Sequence, residues 1–269
     1  MDYSFKTQGI GLGSVINARE LGGYVLADGS RIKRGLLLRG GALDNASDED
    51  LSLLSDKYRV KRIFDFRTSG EVGYAPDKYL PGADYVWMPA FDEESNMMEQ
   101  VSLPKDAYKD LKGWLSVNAW REEVQLVARG MYPSMVSSNF TRVQYSGFLH
   151  NIIKTTDGAV YWHCSQGKDR TGLGAAILLA ALGADMDLIM QDYEISNEFY
   201  VKDVEEVYGH VSTDAEREVI LTFVGVNRKY FLGALNMLVK ECGSMMGFVK
   251  GTLCLTDDDI RILRERYLE

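Results

Sequence analysis

Cysteine, histidine and long apolar runs are all scarce in this sequence. Its 269 residues include three cysteines, and an odd, sparse set does not make a disulfide framework, so we expect a reducing compartment and a cytoplasmic protein. The three histidines form no ligand pattern with nearby cysteines or carboxylates, so we predict no metal and no cofactor. No apolar stretch approaches the roughly 20 residues that span a bilayer, and the N-terminus lacks a basic region followed by an apolar run. We therefore expect neither stable membrane insertion nor a secretory signal.

Positive charge is also in deficit. The sequence has 30 Lys and Arg against 39 Asp and Glu, a formal net charge of −9, so no broad cationic surface is implied and we predict no nucleic-acid partner. Small anionic substrates are not excluded, since an anion responds to the local field rather than to the total charge. The length allows one large domain or two small ones, and we interpret residues 1–269 as a single domain.

Short apolar segments alternate with helical patterns along the chain. The strand candidates are residues 24–26, 36–38, 60–66, 84–88 and 159–163. Helix signals follow Ser47 and Thr256, and residues 173–182 form a nearly continuous apolar run that ends at Gly183. This alternation predicts an α/β fold with a mainly parallel central sheet flanked by helices.

Residues 92–145 differ from the rest of the chain. The segment contains Met97, Met98, Trp114 and Trp120, lies between two strand candidates and is too long for a simple crossover. We interpret it as a helical insertion within the domain, in the position of a lid. The alternative is that it forms an ordinary part of the core.

The chemistry is concentrated in residues 161–172, which read YWHCSQGKDRTG and join a buried strand to the apolar helix. Backbone N–H groups of such a loop and of the first helical turn converge on one point, where the helix dipole favours an anion. Cys164 begins the loop, and the same field stabilises its thiolate as a nucleophile. Arg170 follows six positions later, and its planar fork suits two oxygens of a phosphoryl group.

Two other interpretations of this loop are weaker. A structural cysteine does not explain Lys168, Asp169 and Arg170, because three charged residues between a buried strand and a buried helix are costly without a purpose. A Walker nucleotide loop requires Ser or Thr after its lysine, whereas Asp169 follows Lys168.

The spacing Cys-x5-Arg followed by Thr resembles the signature of the protein tyrosine phosphatase superfamily. The longer string HCSQGKDRTG is similar to one branch, the bacterial tyrosine and phosphoinositide phosphatases, as is NARELGGY at residues 17–24. Shorter similar pieces are RGGAL at 39–43, DFRT at 65–68, Asp192-Tyr193 and Ser196-Asn197. The resemblance covers roughly residues 15–200 in the family's order.

This resemblance implies a hydrolase of phosphate monoesters, acting on phosphotyrosine proteins, phosphoinositides or both. It implies that Cys164 attacks phosphorus to form a phosphocysteine and that Arg170 stabilises the phosphoryl charge. Asp169 matches the general acid of this branch, and Asp92, which follows the strand candidate at 84–88, is the alternative acid. Asp169 could instead pair with Arg19 or Arg67.

The remaining loop residues have supporting roles in this interpretation. We expect the phosphate-binding loop to use Ser165, Gln166, Gly167, Lys168 and Thr171, with the Thr171 hydroxyl donating to the sulfur. Lys168 either helps to bind inositol phosphates or faces solvent.

Outside the loop, His163, Asp65 and Arg67 are expected to brace it. The competing functions are a catalytically weak module that binds phosphorylated ligands and a redox or sulfurtransferase enzyme.

Overall fold

The centre of the fold is a sheet of five strands among residues 3–91 and 110–269, which are the residues that this computed structural model describes. The strands are β1 Arg19–Glu20, β2 Leu37–Gly40, β3 Val60–Asp65, β4 Asp84–Trp87 and β5 Ala159–His163, in the order β1-β2-β5-β3-β4. Strand β1 is antiparallel to β2, and the other three pairings are parallel. The predicted α/β fold with a mainly parallel sheet is confirmed.

The central strand β5 determines where the loop begins. All five of its residues are buried, and alternate side chains enter two different apolar clusters, Tyr161 on one face and Trp162 on the other. Strands β2 and β3 flank it in parallel, so Gly40 and Asp65 pair with His163 at the carboxyl end of the sheet. Ligand sites of parallel sheets form at this edge.

Helices surround the sheet. They are α1 Phe5–Gln8, α2 Asp48–Ser52 with a π-helical continuation Leu53–Lys57, α3 Ser69–Tyr74, α4 Leu111–Asn118, α5 Glu122–Ser137, α6 Asn139–Lys154, α7 Asp169–Leu182, α8 Met186–Ile195, α9 Asn197–Tyr208, α10 Asp214–Phe223, α11 Arg228–Cys242, α12 Met245–Gly251 and α13 Asp257–Tyr267. Helix α7 is buried from Thr171 onward and ends at Gly183, whose φ of 99° is a left-handed conformation that glycine adopts readily. Within the described residues, no helix is both long enough and apolar enough to cross a membrane.

The segment predicted as an insertion contributes to two parts of the structure. Helix α4 and the first half of α5 pack with α9 and α10 in a cluster of their own, whereas Tyr132 and Met135 of α5 and the buried face of α6 join the main core. Residues 92–109, including Asp92, lie outside the described part of the chain. The single domain and its insertion therefore stay predictions.

One strand prediction was wrong. Residues 24–26 make a single bridge, between Val25 and Arg31, because the turn at Asp28-Gly29 reverses the chain at once. The Tyr24 carbonyl still accepts from the Ile32 amide at 2.9 Å across this turn, and the buried Tyr24 hydroxyl donates to Asp192 at 2.9 Å.

Candidate active site

Cys164 lies directly after β5, at the start of the loop that leads into α7. Cys164 is 3% exposed. Helix α7 begins at Asp169, and the Gly172 amide donates to the Lys168 carbonyl at 2.8 Å in its first turn. The amides before Gly172 therefore have no partner within the helix and are available to an anion at its N-terminus. The predicted strand–loop–helix arrangement is present.

Arg170 turns inward and meets Glu71 of α3. Its Nη1 and Nη2 donate to the two carboxylate oxygens of Glu71 at 2.6 and 2.7 Å, and the Ser165 hydroxyl donates to the same carboxylate at 2.5 Å. Burial alone would raise the pKa of Glu71, but the charge of Arg170 and these hydrogen bonds outweigh it and hold that pKa well below its ordinary value. Burial lowers the pKa of Arg170, but the charges of Glu71 and of Cys164 outweigh it and raise that pKa.

The loop is held open by donors that bind its carbonyl groups from outside. The Gly167 carbonyl accepts from Asn17 at 2.9 Å and from Arg39 at 2.8 Å, and the Gln166 carbonyl accepts from the Tyr200 hydroxyl at 2.7 Å. Gly167 has a φ of 68°, and a Cβ there would stand 2.2 Å from the carbonyl carbon of Gly40. With these carbonyls bound outside, the amides of the same peptides are left to face the interior of the loop.

Most pieces of the N-terminal motif meet beneath the loop. Arg19 and Arg39 both bind the buried carboxylate of Asp192, and Arg19 also donates to the Ser196 hydroxyl at 3.1 Å. Burial, followed by the neighbouring charge of Arg19, lowers the pKa of Arg39 to about 10. Two buried guanidinium groups share one carboxylate, so this region keeps a surplus of positive charge behind the anion site.

Lys168 does not face solvent. The residue is 3% exposed, and its ammonium donates to the carbonyls of Thr222, Phe223 and Gly225 at 3.3, 3.0 and 2.6 Å. The solvent-facing alternative was wrong because the C-terminus of α10 supplies carbonyl groups that bind a cation. Burial lowers the pKa of Lys168.

Asp169 occupies the first turn of α7, beside the loop. Its Oδ1 accepts from the Tyr132 hydroxyl at 2.6 Å, and its Oδ2 lies 3.6 Å from the Lys168 ammonium. The alternative pairing with Arg19 or Arg67 was wrong, because Arg19 pairs with Asp192 and Arg67 pairs with Asp65 and Asp77.

His163, Asp65 and Arg67 form a buried charged cluster behind the loop, together with Asp77. Arg67 contacts Asp65 at 2.7 Å and Asp77 at 2.8 Å, and His163 Nε2 lies 2.9 Å from Asp77. Burial lowers the pKa of His163, but the two carboxylates outweigh burial and raise it. Potential ligand atoms of Asp65, Asp77 and His163 lie within 4.8 Å of one another. They do not suit a divalent cation, because the Arg67 guanidinium already pairs with both carboxylates and the raised pKa of His163 favours a second positive charge beside them.

Thr171 is buried, and its hydroxyl has no hydrogen-bond partner among the described residues, so the predicted bond to the sulfur is not present. The Thr171 carbonyl accepts from the Trp162 indole at 3.1 Å, and the Arg170 carbonyl accepts from the Tyr145 hydroxyl at 2.7 Å. These two bonds anchor the start of α7 to β5 and α6.

Several residues at the site were missed by sequence reasoning. Glu71 belongs to a capping box with Thr68, and the pattern Thr-x-x-Glu could have located a helix start after β3. No local pattern indicates that its carboxylate reaches Arg170. Asp77 and Tyr132 likewise carry no signal in the chain around them.

Comparison with known proteins agrees with this geometry. The model of a tyrosine phosphatase family matches residues 10–269. The chain belongs to this tyrosine phosphatase family. Membership makes it a phosphatase, a hydrolase that removes phosphate groups. The match spans nearly the whole sequence, including the loop, the N-terminal motif and the helices that surround them.

Three relatives show how far the similarity extends. A Cupriavidus necator protein, provisionally named as a tyrosine-protein phosphatase, is 28% identical over 258 residues, covering 95% of this chain and 86% of its own. A triple specificity protein phosphatase, PtpB of Mycobacterium tuberculosis, is 24% identical over 239 residues, covering 81% of this phosphatase and 86% of its own chain. A tyrosine-protein phosphatase of Nostoc commune is 37% identical over 76 residues, 27% of this phosphatase and 26% of its own chain.

Proposed function

We propose that this phosphatase hydrolyses aryl phosphate monoesters, with phosphotyrosine in proteins as the substrate class, through a phosphocysteine on Cys164. The observation that supports this most directly is the joint placement of Cys164 and Arg170 around the N-terminus of α7. A catalytically weak binding module would not need a nucleophile there, and a sulfurtransferase would not need the arginine.

The proposed reaction has two steps. The Cys164 thiolate attacks phosphorus in line, the bond from phosphorus to the phenolic oxygen breaks, and Asp169 gives its proton to that oxygen. Water then attacks the phosphocysteine, the phosphorus–sulfur bond breaks, Asp169 takes the proton of the water, and inorganic phosphate leaves. Arg170 and the loop amides stabilise the equatorial oxygens in both transition states.

Asp169 is our proposed general acid. It lies in the first turn of α7, and its carboxyl is held by the Tyr132 hydroxyl on one oxygen while the other oxygen is near Lys168. Asp92 stays the alternative, and substitution of each aspartate by asparagine separates them. The variant of the true acid loses activity on a poor leaving group while keeping most of its activity on a good one, since a good leaving group departs without a proton.

We do not extend the proposal to phosphoinositides as the principal substrates. Lys168 is the residue that the resemblance assigns to inositol phosphates, and three backbone carbonyls already bind its ammonium. A parallel assay with phosphotyrosine peptides and phosphoinositides tests this ranking, and faster turnover of the lipids would reverse it.

The central experiment measures turnover of para-nitrophenyl phosphate by the wild type, Cys164→Ser and the control Cys242→Ser. We expect Cys164→Ser to lose activity by about a thousandfold or more, as for removal of other catalytic nucleophiles, and Cys242→Ser to keep it. Acid quenching of the wild type during turnover should trap a phosphoryl group on Cys164, detectable by mass spectrometry. Activity surviving in Cys164→Ser would refute the proposal.

A further inference from the structure

We infer that Tyr132 and Tyr193 form a buried hydroxyl relay that positions Asp169 for proton transfer. The inference rests on the proposed function, in which Asp169 is the general acid. Tyr132 lies on α5 and Tyr193 on α8, so two helices other than α7 would act on the acid.

The relay is an unbroken chain of two hydrogen bonds, and both donate toward Asp169. The Tyr132 hydroxyl lies 2.6 Å from Asp169 Oδ1 and 2.7 Å from the Tyr193 hydroxyl. An ionised carboxylate can only accept, so the single proton of Tyr132 goes to Asp169. Tyr193 must therefore donate to Tyr132.

The two rings are fixed by packing. Both residues are 1% exposed. The Tyr193 ring stacks on Phe231 with centroids 3.8 Å apart, and the Tyr132 ring meets Phe231 edge-on at 5.8 Å. Rings held in this way keep their hydroxyls at fixed positions, so they can orient a carboxyl group rather than follow it.

Both hydroxyls stay neutral donors over the working range of pH. Burial, followed by the charge of Asp169, raises the pKa of both Tyr132 and Tyr193 well above 10. They therefore exchange no proton with the substrate. Their role would be to keep Oδ1 as an acceptor, which leaves Oδ2 to carry the proton that reaches the leaving group.

A positioning role predicts an effect that depends on the leaving group. General acid catalysis contributes about 10²- to 10⁴-fold, and it matters for phenyl phosphate far more than for 2,4-dinitrophenyl phosphate. For Tyr132→Phe we expect kcat to fall about tenfold or more on phenyl phosphate and less than about threefold on 2,4-dinitrophenyl phosphate. Tyr193→Phe should give a smaller change in the same direction, because Tyr132 can still donate.

The control is Tyr267→Phe, which removes a buried hydroxyl bonded to the Ile152 carbonyl at 3.4 Å, on helix α13. It should leave both rates unchanged. In an Asp169→Asn background, Tyr132→Phe should cause no further loss on phenyl phosphate, since residues that act through one another are not additive.

The outcomes separate the relay from the function on which it rests. An equal fall on both substrates, no fall on phenyl phosphate, or a further loss in the Asp169→Asn background would overturn the relay. If Asp169→Asn itself shows no dependence on the leaving group, the assignment of the acid fails and the relay fails with it. If only the relay is refuted, the proposed role of Cys164 still stands, because the Cys164→Ser variant tests that role separately.

Discussion

The carboxylate of Glu71 meets the guanidinium of Arg170 end-on. Nη1 of Arg170 donates to one carboxylate oxygen at 2.6 Å, and Nη2 donates to the other at 2.7 Å. The Nε of Arg170 makes no hydrogen bond within residues 3–91 and 110–269. One fork of the guanidinium is thus anchored to α3, and the side that carries Nε is left for a phosphoryl group. Glu71 acts through Arg170 and is a positioning residue in this arrangement.

Substitution of Glu71 by glutamine tests this anchor. An amide keeps one acceptor but turns an N–H₂ group toward the guanidinium, so Arg170 loses its fixed orientation. We expect kcat/KM for para-nitrophenyl phosphate to fall about 10- to 100-fold, the equivalent of roughly 1.5–3 kcal/mol for a hydrogen bond to a charged group. Steady-state kinetics on the folded variant measure the change.

Glu241→Gln is the matched control for Glu71→Gln. Glu241 also binds an arginine through both oxygens, Arg142 at 2.9 and 2.6 Å, but on the surface and on α11. Its loss should leave kcat/KM unchanged. Equal rates for the wild type and Glu71→Gln would show that the anchor does not orient Arg170.

Gly167→Ala tests the shape of the loop. Its φ of 68° costs an L-residue roughly 1–2 kcal/mol, and its Cβ would also collide with the Gly40 backbone. We expect the loop to move and kcat/KM to fall by about 100-fold, the scale of a 1 Å misplacement. Gly29→Ala has the same strain, at a φ of 86°, but nothing lies within 4 Å of its Cβ. Gly29→Ala should lose stability yet keep its activity. If Gly167→Ala also keeps its activity, the shape of the loop at Gly167 is not needed for catalysis.

The buried charged cluster around His163 predicts a dependence of stability on pH. The pKa of His163 is raised in the folded state, so its stabilising contribution is complete below the ordinary value of 6.5 and is lost as the pH rises through the folded pKa. The difference in free energy of unfolding between the wild type and His163→Gln should therefore be largest in acid and shrink in alkali.

Urea unfolding from about pH 5.5 to about pH 9 measures this difference. His210→Gln, at an exposed position, is the control and should show a flat difference. A difference that grows with pH for His163→Gln would mean that the carboxylates do not hold the histidine charged.

Local patterns located much of the site. Strands β3, β4 and β5, the stop of α7 at Gly183 and the loop between β5 and α7 follow from short runs of apolar residues and from turn residues beside them. These features depend on neighbours within a few positions, so the linear order of residues is enough to predict them.

Contacts between segments that are distant in the sequence could not be predicted from these local patterns. The residues around Lys168 left open whether it binds ligand or faces solvent, and only its contact with the C-terminus of α10 shows that backbone carbonyls bind it. Tyr132 lies in a segment interpreted as an insertion, and its hydroxyl nevertheless bonds to Asp169 in the first turn of α7. Residues 92–109 contain the alternative acid Asp92, which therefore stays a prediction.

The sequence by itself determined the nucleophile and the arginine, because a strand, a tight loop and a helix start are encoded by twelve consecutive residues. The tertiary structure decided which groups hold them. Parallel pairing of β2, β5 and β3 brings their carboxyl ends to one edge, and the chain that follows β3 delivers Glu71 there, 99 positions from Arg170. Strand order and helix packing create such a meeting, and neither is written in the spacing of residues along the chain.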